Sequence, residues 1–205
     1  MRVTNTADLR DRLPASCDDI TIRLLARRDI DIIRAWPQYP GTYAVFRLCF
    51  GGETAEANNE WYRTRACADT RLAMAVDADG VTCAGYLVLA DIDWHTCVVG
   101  NMGVRVRADL CGKGVGPRMM RLVSDWVFGC GFDTLRFDVA ASNARAIRCY
   151  EKSGFAITGE FWRDDPKLAE ADLTQPEWAE VRPHIRLDGP VPQLRFCWME
   201  RRATH

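Results

Sequence analysis

The sequence predicts a mixed α+β fold, a mostly antiparallel sheet flanked by helices, and three observations carry that expectation. Asp77-Ala78-Asp79-Gly80 joins two strand-like runs and reads as a hairpin turn. A glycine-rich loop and a helix link two further strand-like runs as one strand–helix–strand crossover. Two more strand-like runs close the chain. At 205 residues the chain suits a single domain, residues 1–205, with a sizeable core.

The elements follow in order. Residues 1–19 are polar and read as a short helix or a loose N-terminal arm. "ITIRLL", Ile20 to Leu25, alternates as a strand does. In "RRDIDIIRAW" the apolar residues at 30, 32, 33 and 36 form a helical stripe, which Pro37 stops. "QYPGTY" is turn chemistry, and "YAVFRLCF" and "EANNEWYRTRACAD" read as one or two more helices. After the hairpin comes a strand from Thr96 to Val106, then the loop, then a helix from Pro117 to about Cys130. On that helix Met119, Val123, Trp126, Val127 and Cys130 share a face, and Gly129 and Gly131 close it. In "TLRFDVA" Leu135, Phe137 and Val139 face one way, Arg136 and Asp138 the other. Ser142 or Asn143 caps a helix through Lys152, and Gly154 stops it. "FAITGEFW" and "LRFCWMERR" are the final strands, with a long proline-rich insertion, residues 163–193, between them.

Composition narrows the function classes. Hydrophobic residues at 48% and charged residues at 27% describe an ordinary soluble globular protein. A net charge of −1 argues against a nucleic-acid partner. No apolar run approaches the ~18 residues of a membrane span, and the N-terminus lacks the apolar centre of a secretion signal, so no membrane and a cytoplasmic location are expected. The nine cysteines include no C-x-x-C pair and read as small reduced hydrophobes. The three histidines show no ligand spacing, so no metal is expected.

The chemistry-bearing stretch is Cys111-Gly112-Lys113-Gly114-Val115-Gly116, followed by Pro117. Proline fits the first position of a helix, where a missing N–H costs nothing. The amides that open a helix lack intrahelical partners, and the helix dipole adds partial positive charge. Glycines let that backbone approach an anion, so the loop reads as a pyrophosphate cradle, with Lys113 and Arg118 at its rim. It lacks the G-K-[ST] ending of a P-loop. Its G-x-G-x-G spacing and antiparallel-looking strand also fit poorly with a dinucleotide-binding unit.

Strand "GVRV", this loop, its helix, the next strand and "SNARAIRCYEKSGF" together resemble the acetyl-CoA core of the GCN5-related N-acetyltransferases, over roughly Cys83 to Phe155. The resemblance implies a GNAT-like sheet and acetyl-CoA as cosubstrate. It implies that the amides of Gly112, Lys113, Gly114, Val115, Gly116 and the Pro117 turn hold the pyrophosphate. It implies that Val104, Arg105 and Val106 pair by backbone with the pantetheine arm, that Asn143 faces the cofactor, and that Tyr150 sits by the thioester sulfur as the acid. The family usually places Arg or Gln where Cys111 stands. That leaves two readings of Cys111, a tolerated substitution or a thiol made reactive by the helix terminus.

Acyl transfer to an amine needs a neutral nucleophile and a protonated leaving thiolate. Counting back from the loop, the position of the usual family glutamate holds Asn101, which cannot act as a base. Asp138, five residues before Asn143, matches the acidic base of relatives that modify ribosomal-protein N-termini; a strand residue paired with Arg136 is the other reading. Trp36, Tyr39, Tyr43 and Trp61 are candidates to line the acceptor site or to fill core. The expected function is acetyl transfer to a primary amine of a small molecule or a protein N-terminus. The alternative is a non-catalytic acyl-CoA-binding sensor. The insertion is acidic enough to attract a cationic acceptor. It reads as one wall of the acceptor entrance, a solvated excursion, or a homodimer contact, with a short helix over "TQPEWAEVRPHI".

Overall fold

A computed structural model describes residues 3–46 and 54–204. The elements are α1 (Thr6–Arg10), β1 (Ala15–Cys17), β2 (Ile20–Leu24), α2 (Arg27–Arg34), α3 (Ala55–Trp61), β3 (Leu72–Ala78), β4 (Val81–Asp93), β5 (Val98–Val106), α4 (Val115–Gly129), β6 (Thr134–Ala140), α5 (Ala144–Glu151), β7 (Ala156–Asp164), β8 (Ile185–Arg186) and β9 (Gln193–Arg202). One mixed sheet runs β1-β2-β3-β4-β5-β6-β9-β7, with β8 paired to β9. Its pairings are antiparallel except β5 with β6, which α4 connects as the crossover.

Local chemistry explains several of these elements. Asp79 and Gly80 both take positive φ, 52° and 75°, as a two-residue hairpin turn demands. The N-terminal lead-in is no loose arm. Asn5 caps α1 by accepting the Asp8 N–H, Leu9 is fully buried, and β1 extends the sheet edge.

The sheet has two covered faces. Met74, Leu87, Leu89, Val99, Leu135 and Phe137 pack under Met119, Met120, Val123 and Val127 of α4. On the other face Ala73, Ala75 and Tyr86 meet Ile30, Ile33 and Trp36 from the α2 side. α2 is pinned there by a buried charge network. Arg23 donates to Asp29 at 2.7 and 2.9 Å and to Asp77 at 2.8 and 3.1 Å, while Asp29 also accepts the Ala26 N–H. Asp29 is fully buried, so this pairing is what allows its charge inside.

The structure departs from the sequence reading in three places. α4 begins at Val115, with Gly114 as its N-cap, so Pro117 is the third helical residue and not the first. Its missing N–H still falls in the first turn, where none is needed. The insertion forms 3₁₀ turns at Pro176–Trp178 and Arg182–His184 in place of an α-helix, each with a proline in its first turn. Of "YAVFRLCF", Tyr43–Phe46 lie in a 3₁₀ turn, Gly41–Phe46, and the remainder falls outside the described residues.

Candidate active site

The site is built where β5 and β6 part. The two strands pair only at Val98–Thr134 and Val99–Leu135. Beyond Val99 the β6-facing edge of β5 therefore has no strand partner among the described residues. The other edge tells which backbone groups face the gap. The Arg107 N–H donates to Ala84 O at 2.9 Å, and Arg105 pairs with Tyr86 in the same register. Alternation along an antiparallel ladder then turns the N–H and C=O groups of Val104 and Val106 into the gap. Two side chains hold those carbonyls: Tyr39 Oη donates to Val106 O at 2.6 Å, and Arg105 Nη1 donates to Val104 O at 2.9 Å.

The gap opens into a cavity that reaches the head of α4. Val104, Arg105, Val106, Gly112, Gly114, Gly116 and Pro117 line it on one side, Asn143 and Tyr150 on the other. Lys113 and Val115 do not line it: Lys113 is exposed, and the Val115 side chain is buried in the core, leaving its amide. Arg118 pairs with Asp79 and so brings no free charge to the rim.

The glycines divide by role. Gly112 and Gly114 have φ of +81° and +85°, the left-handed region, and among the described residues a Cβ on either would meet nothing within 4 Å. Gly116 serves packing, since a Cβ there would lie 2.9 Å from Cys149 Sγ. The amides of Gly114, Val115 and Gly116 open α4 without intrahelical carbonyls. Open space over two glycines, amides that need acceptors and the positive end of a helix together fit a pyrophosphate.

Further charge comes from α5. Arg145, Arg148 and Lys152 also line the cavity. Their i, i+3, i+7 spacing marks one helical face, a signal legible in the sequence that lies outside the glycine motif. The Arg145 guanidinium lies 4.0 Å from the Tyr43 ring centre and 5.1 Å from that of Tyr39, tying the turn after α2 across the cavity. Cys111 contributes no such charge. Its Sγ turns back to Val106 O and Arg107 O, and burial pushes its pKa up, the reverse of an activated thiol.

Asn143 Oδ1 accepts the Ala146 N–H at 3.1 Å, so this side chain caps α5. The cap fixes the helix that presents Tyr150. The Tyr150 ring packs edge-on to Phe137 at 4.8 Å, and the residue is buried. Burial above all, with Cys149 beside it, raises the Tyr150 pKa, while Arg105 works the other way. The phenol therefore keeps its proton at neutral pH.

Asp138 does not line the cavity. It alternates with Phe137 along β6, facing the opposite side of the sheet, and its carboxylate sits 3.0 Å from Arg163, not paired with Arg136. Trp36 and Trp61 do not line the cavity; they pack against Tyr86 with ring centres 6.3 and 6.4 Å away, in the core of the other sheet face. The insertion covers the neighbouring stretch. Leu168 and Val181 bury against Ala140, Leu194 and Phe196, and Val45 and Trp178 pack onto the same cluster. Thr42 Oγ1 donates to Glu180 at 3.2 Å, so the insertion and the Gly41–Phe46 turn meet. Several acidic groups of the insertion serve its own turns, with Asp165 and Asp172 accepting from Lys167, Thr174 and Gln175. Among the described residues no three His, Cys, Asp or Glu side chains group as a metal site, and no helix is long and apolar enough to cross a membrane.

Comparison with known proteins bears on this geometry. The family model described as "Acetyltransferase (GNAT) family" matches residues 36–155. Streptothricin acetyltransferase of Streptomyces lavendulae is 34% identical over 92 residues, 45% of this chain and about half, 48%, of that protein. Aminoglycoside N(6')-acetyltransferase type 1 of Klebsiella pneumoniae is 28% identical over 159 residues, covering 70% of this chain and 77% of that one. Among solved structures, spermidine N-acetyltransferase from Vibrio cholerae in complex with CoA and spermine superposes with a TM-score of 0.64. It is 16% identical and the match covers 91% of this chain and 96% of the other. That last likeness concerns the fold.

Proposed function

The chain belongs to the acetyltransferase (GNAT) family and is an N-acetyltransferase with acetyl-CoA as its donor; we propose that its acceptor is a primary amine on a small molecule, and that Tyr150 and Asp138 handle the protons. One observation carries this reading: the unpaired edge of β5 runs directly to a glycine cradle at a helix N-terminus. A ligand with amide groups along one arm and a pyrophosphate beyond it suits that edge and that cradle in sequence.

Acetyl-CoA supplies the activated acetyl group, and the chain's residues hold and orient it. The backbone of Val104 and Val106 takes the pantetheine arm, displacing Arg105 Nη1 and Tyr39 Oη from the two carbonyls. The amides of Gly112, Gly114, Val115 and Gly116 and the basic face of α5 take the phosphates. Tyr150, kept protonated by burial, gives its proton to the leaving thiolate. Asp138, outside the cavity on the other face of β6, takes the ammonium proton before the amine reaches the thioester. Its present partner, Arg163, occupies the place a cation takes beside that carboxylate.

A small acceptor is favoured because the insertion packs on the Gly41–Phe46 turn, whose Tyr43 meets Arg145 of the cavity wall. The relatives named above act, by name, on streptothricin, aminoglycosides and spermidine, all amine-bearing small molecules. The test is CoA release from acetyl-CoA in the presence of a panel of small amines and N-terminal peptides. Turnover with small amines is expected. Turnover restricted to peptides would overturn the acceptor class, and tight CoA binding with no turnover on any amine would mark a sensor. Replacing residues 168–187 with a short Gly/Ser linker should change which amines react while CoA affinity stays near wild type.

A further inference from the structure

Arg105 stands out among the residues of this site because nothing in the proposed chemistry uses its side chain. It lies on β5 opposite Tyr86, on the sheet face that carries Trp36 and Trp61 and not on the α4 face. Tyr39, Tyr86 and Tyr150 each have a pKa raised by burial, and Arg105 moderates that rise in all three. Arg105 lines the cavity together with Tyr39 and Tyr150. Arg65 adds positive charge near Tyr86.

The partners of this guanidinium are few. Its Nε is buried without a hydrogen-bond partner among the described residues. Its Nη1 donates to the adjacent Val104 carbonyl at 2.9 Å. Among the described residues no carboxylate forms an ion pair with it. A guanidinium offers five donors in a planar fork suited to a carboxylate, and a buried donor left unpaired is costly. The Val104 carbonyl is also the group the pantetheine arm takes, which leaves Arg105 with still less. The phosphates do not fill the need, because their cradle begins at Gly112, past the end of β5 at Val106.

We propose that Arg105 binds a carboxylate of the acceptor, so that the acceptor is a small amino acid or a close analogue, holding its amine and its carboxylate on one short frame. This deepens the function proposed above and rests on it. The acceptor carboxylate forms a two-pronged ion pair with the Arg105 guanidinium on the Tyr86 side of the gap. The amine points toward the thioester between Arg105 and Tyr150. The same arrangement disfavours acceptors that carry only positive charge, which would bring a second cation to Arg105 and Arg65.

The experiment compares α-amino acids with their primary amides, matched side chain for side chain, with polyamines alongside. Rates are set against the free-base concentration of each amine, so that amine basicity does not enter. In wild type the acids should exceed their amides in kcat/KM by at least about tenfold. Arg105→Met should raise KM for the acids by at least about tenfold and erase the acid-over-amide preference. CoA affinity by calorimetry should stay within about threefold, because the backbone of residue 105 is unchanged. Arg105→Lys, which keeps the charge and loses the fork, should fall between the two. Preference for amides or polyamines in wild type would overturn the carboxylate proposal alone, as would an acid preference that survives Arg105→Met. A CoA affinity loss in Arg105→Met as large as the KM change would reassign Arg105 to the donor. Absence of turnover with every amine would instead remove the acetyltransferase reading on which the proposal stands.

Discussion

Replacing Gly114 separates the two demands that this position meets. Its φ of +85° lies where a Cβ is strained, at a cost of roughly 1–2 kcal/mol for a non-glycine residue. No atom of the described residues lies within 4 Å of a Cβ built there, so Gly114→Ala meets no steric barrier from them beyond that backbone strain. The fold should survive with a lower melting temperature. The same open space is where a pyrophosphate must approach the amides of α4, so a methyl group takes up the volume the ligand needs. Gly114→Asp adds a negative charge against an anion. We expect calorimetry to show CoA affinity weakened severalfold in Gly114→Ala and by at least tenfold in Gly114→Asp, about 1.4 kcal/mol or more. Gly116→Ala is the contrast: its Cβ meets Cys149 Sγ at 2.9 Å, so that variant should lose stability through packing of α4 on α5. Unchanged CoA affinity in a folded Gly114→Asp protein would refute the cradle.

Three further predictions follow from individual contacts. Tyr150→Phe keeps the ring against Phe137 and removes only the hydroxyl, so kcat should fall by roughly 10²- to 10⁴-fold with little change in CoA affinity; a kcat within about twofold of wild type would leave Tyr150 a packing residue. Tyr39→Phe removes the donor that holds Val106 O, so CoA should bind about as tightly or up to roughly fivefold more tightly; a fivefold loss would make Tyr39 a ligand contact instead. Asp29→Ala leaves Arg23 partly unpaired in the interior and should destabilise by about 3 kcal/mol in denaturant melts; a loss below about 1 kcal/mol would mean that packing alone holds α2. The same network sets a pH dependence. Burial works against the Asp77 charge, but Arg23 and the Cys83 amide together hold its pKa below the ordinary value. A depressed carboxylate adds stability above its unfolded pKa and loses it as pH falls through the folded one. Wild type should therefore lose stability below about pH 4, and Asp77→Asn should flatten that part of the profile; identical acid limbs would exclude this contribution.

Much of the site was legible because its signals are local. Glycine spacing, the hairpin dipeptide Asp79-Gly80 and the run from Asn143 to Phe155 each depend on neighbours within a few residues, and each stands close to where the sequence places it. What escaped depends on pairing across the chain. Tyr39 meets Val106 from 67 residues away, and Thr42 meets Glu180 from 138 away. The unpaired edge of β5 exists because β6 diverges after Val99, a property of two strands that neither sequence shows alone. The buried Arg23–Asp29–Asp77 network was likewise hidden, since Asp29 looks like an ordinary first-turn acid on α2. Alternation along β6 did indicate that Asp138 turns away from Phe137, but not that Arg163 would meet it. The α4 start shows the limit of cap rules: proline is tolerated anywhere in the first turn, so Pro117 marked the turn and not its first residue.

The most direct test of the account is to follow the acetyl group itself. The enzyme is incubated with isotopically labelled acetyl-CoA and a reactive amine, and the products are identified by mass spectrometry. Transfer predicts labelled acetyl on the amine nitrogen in a one-to-one ratio with released CoA, lost together in Gly114→Asp and Tyr150→Phe. CoA release with the label recovered as free acetate, or none released while CoA binds at the cradle, would contradict it.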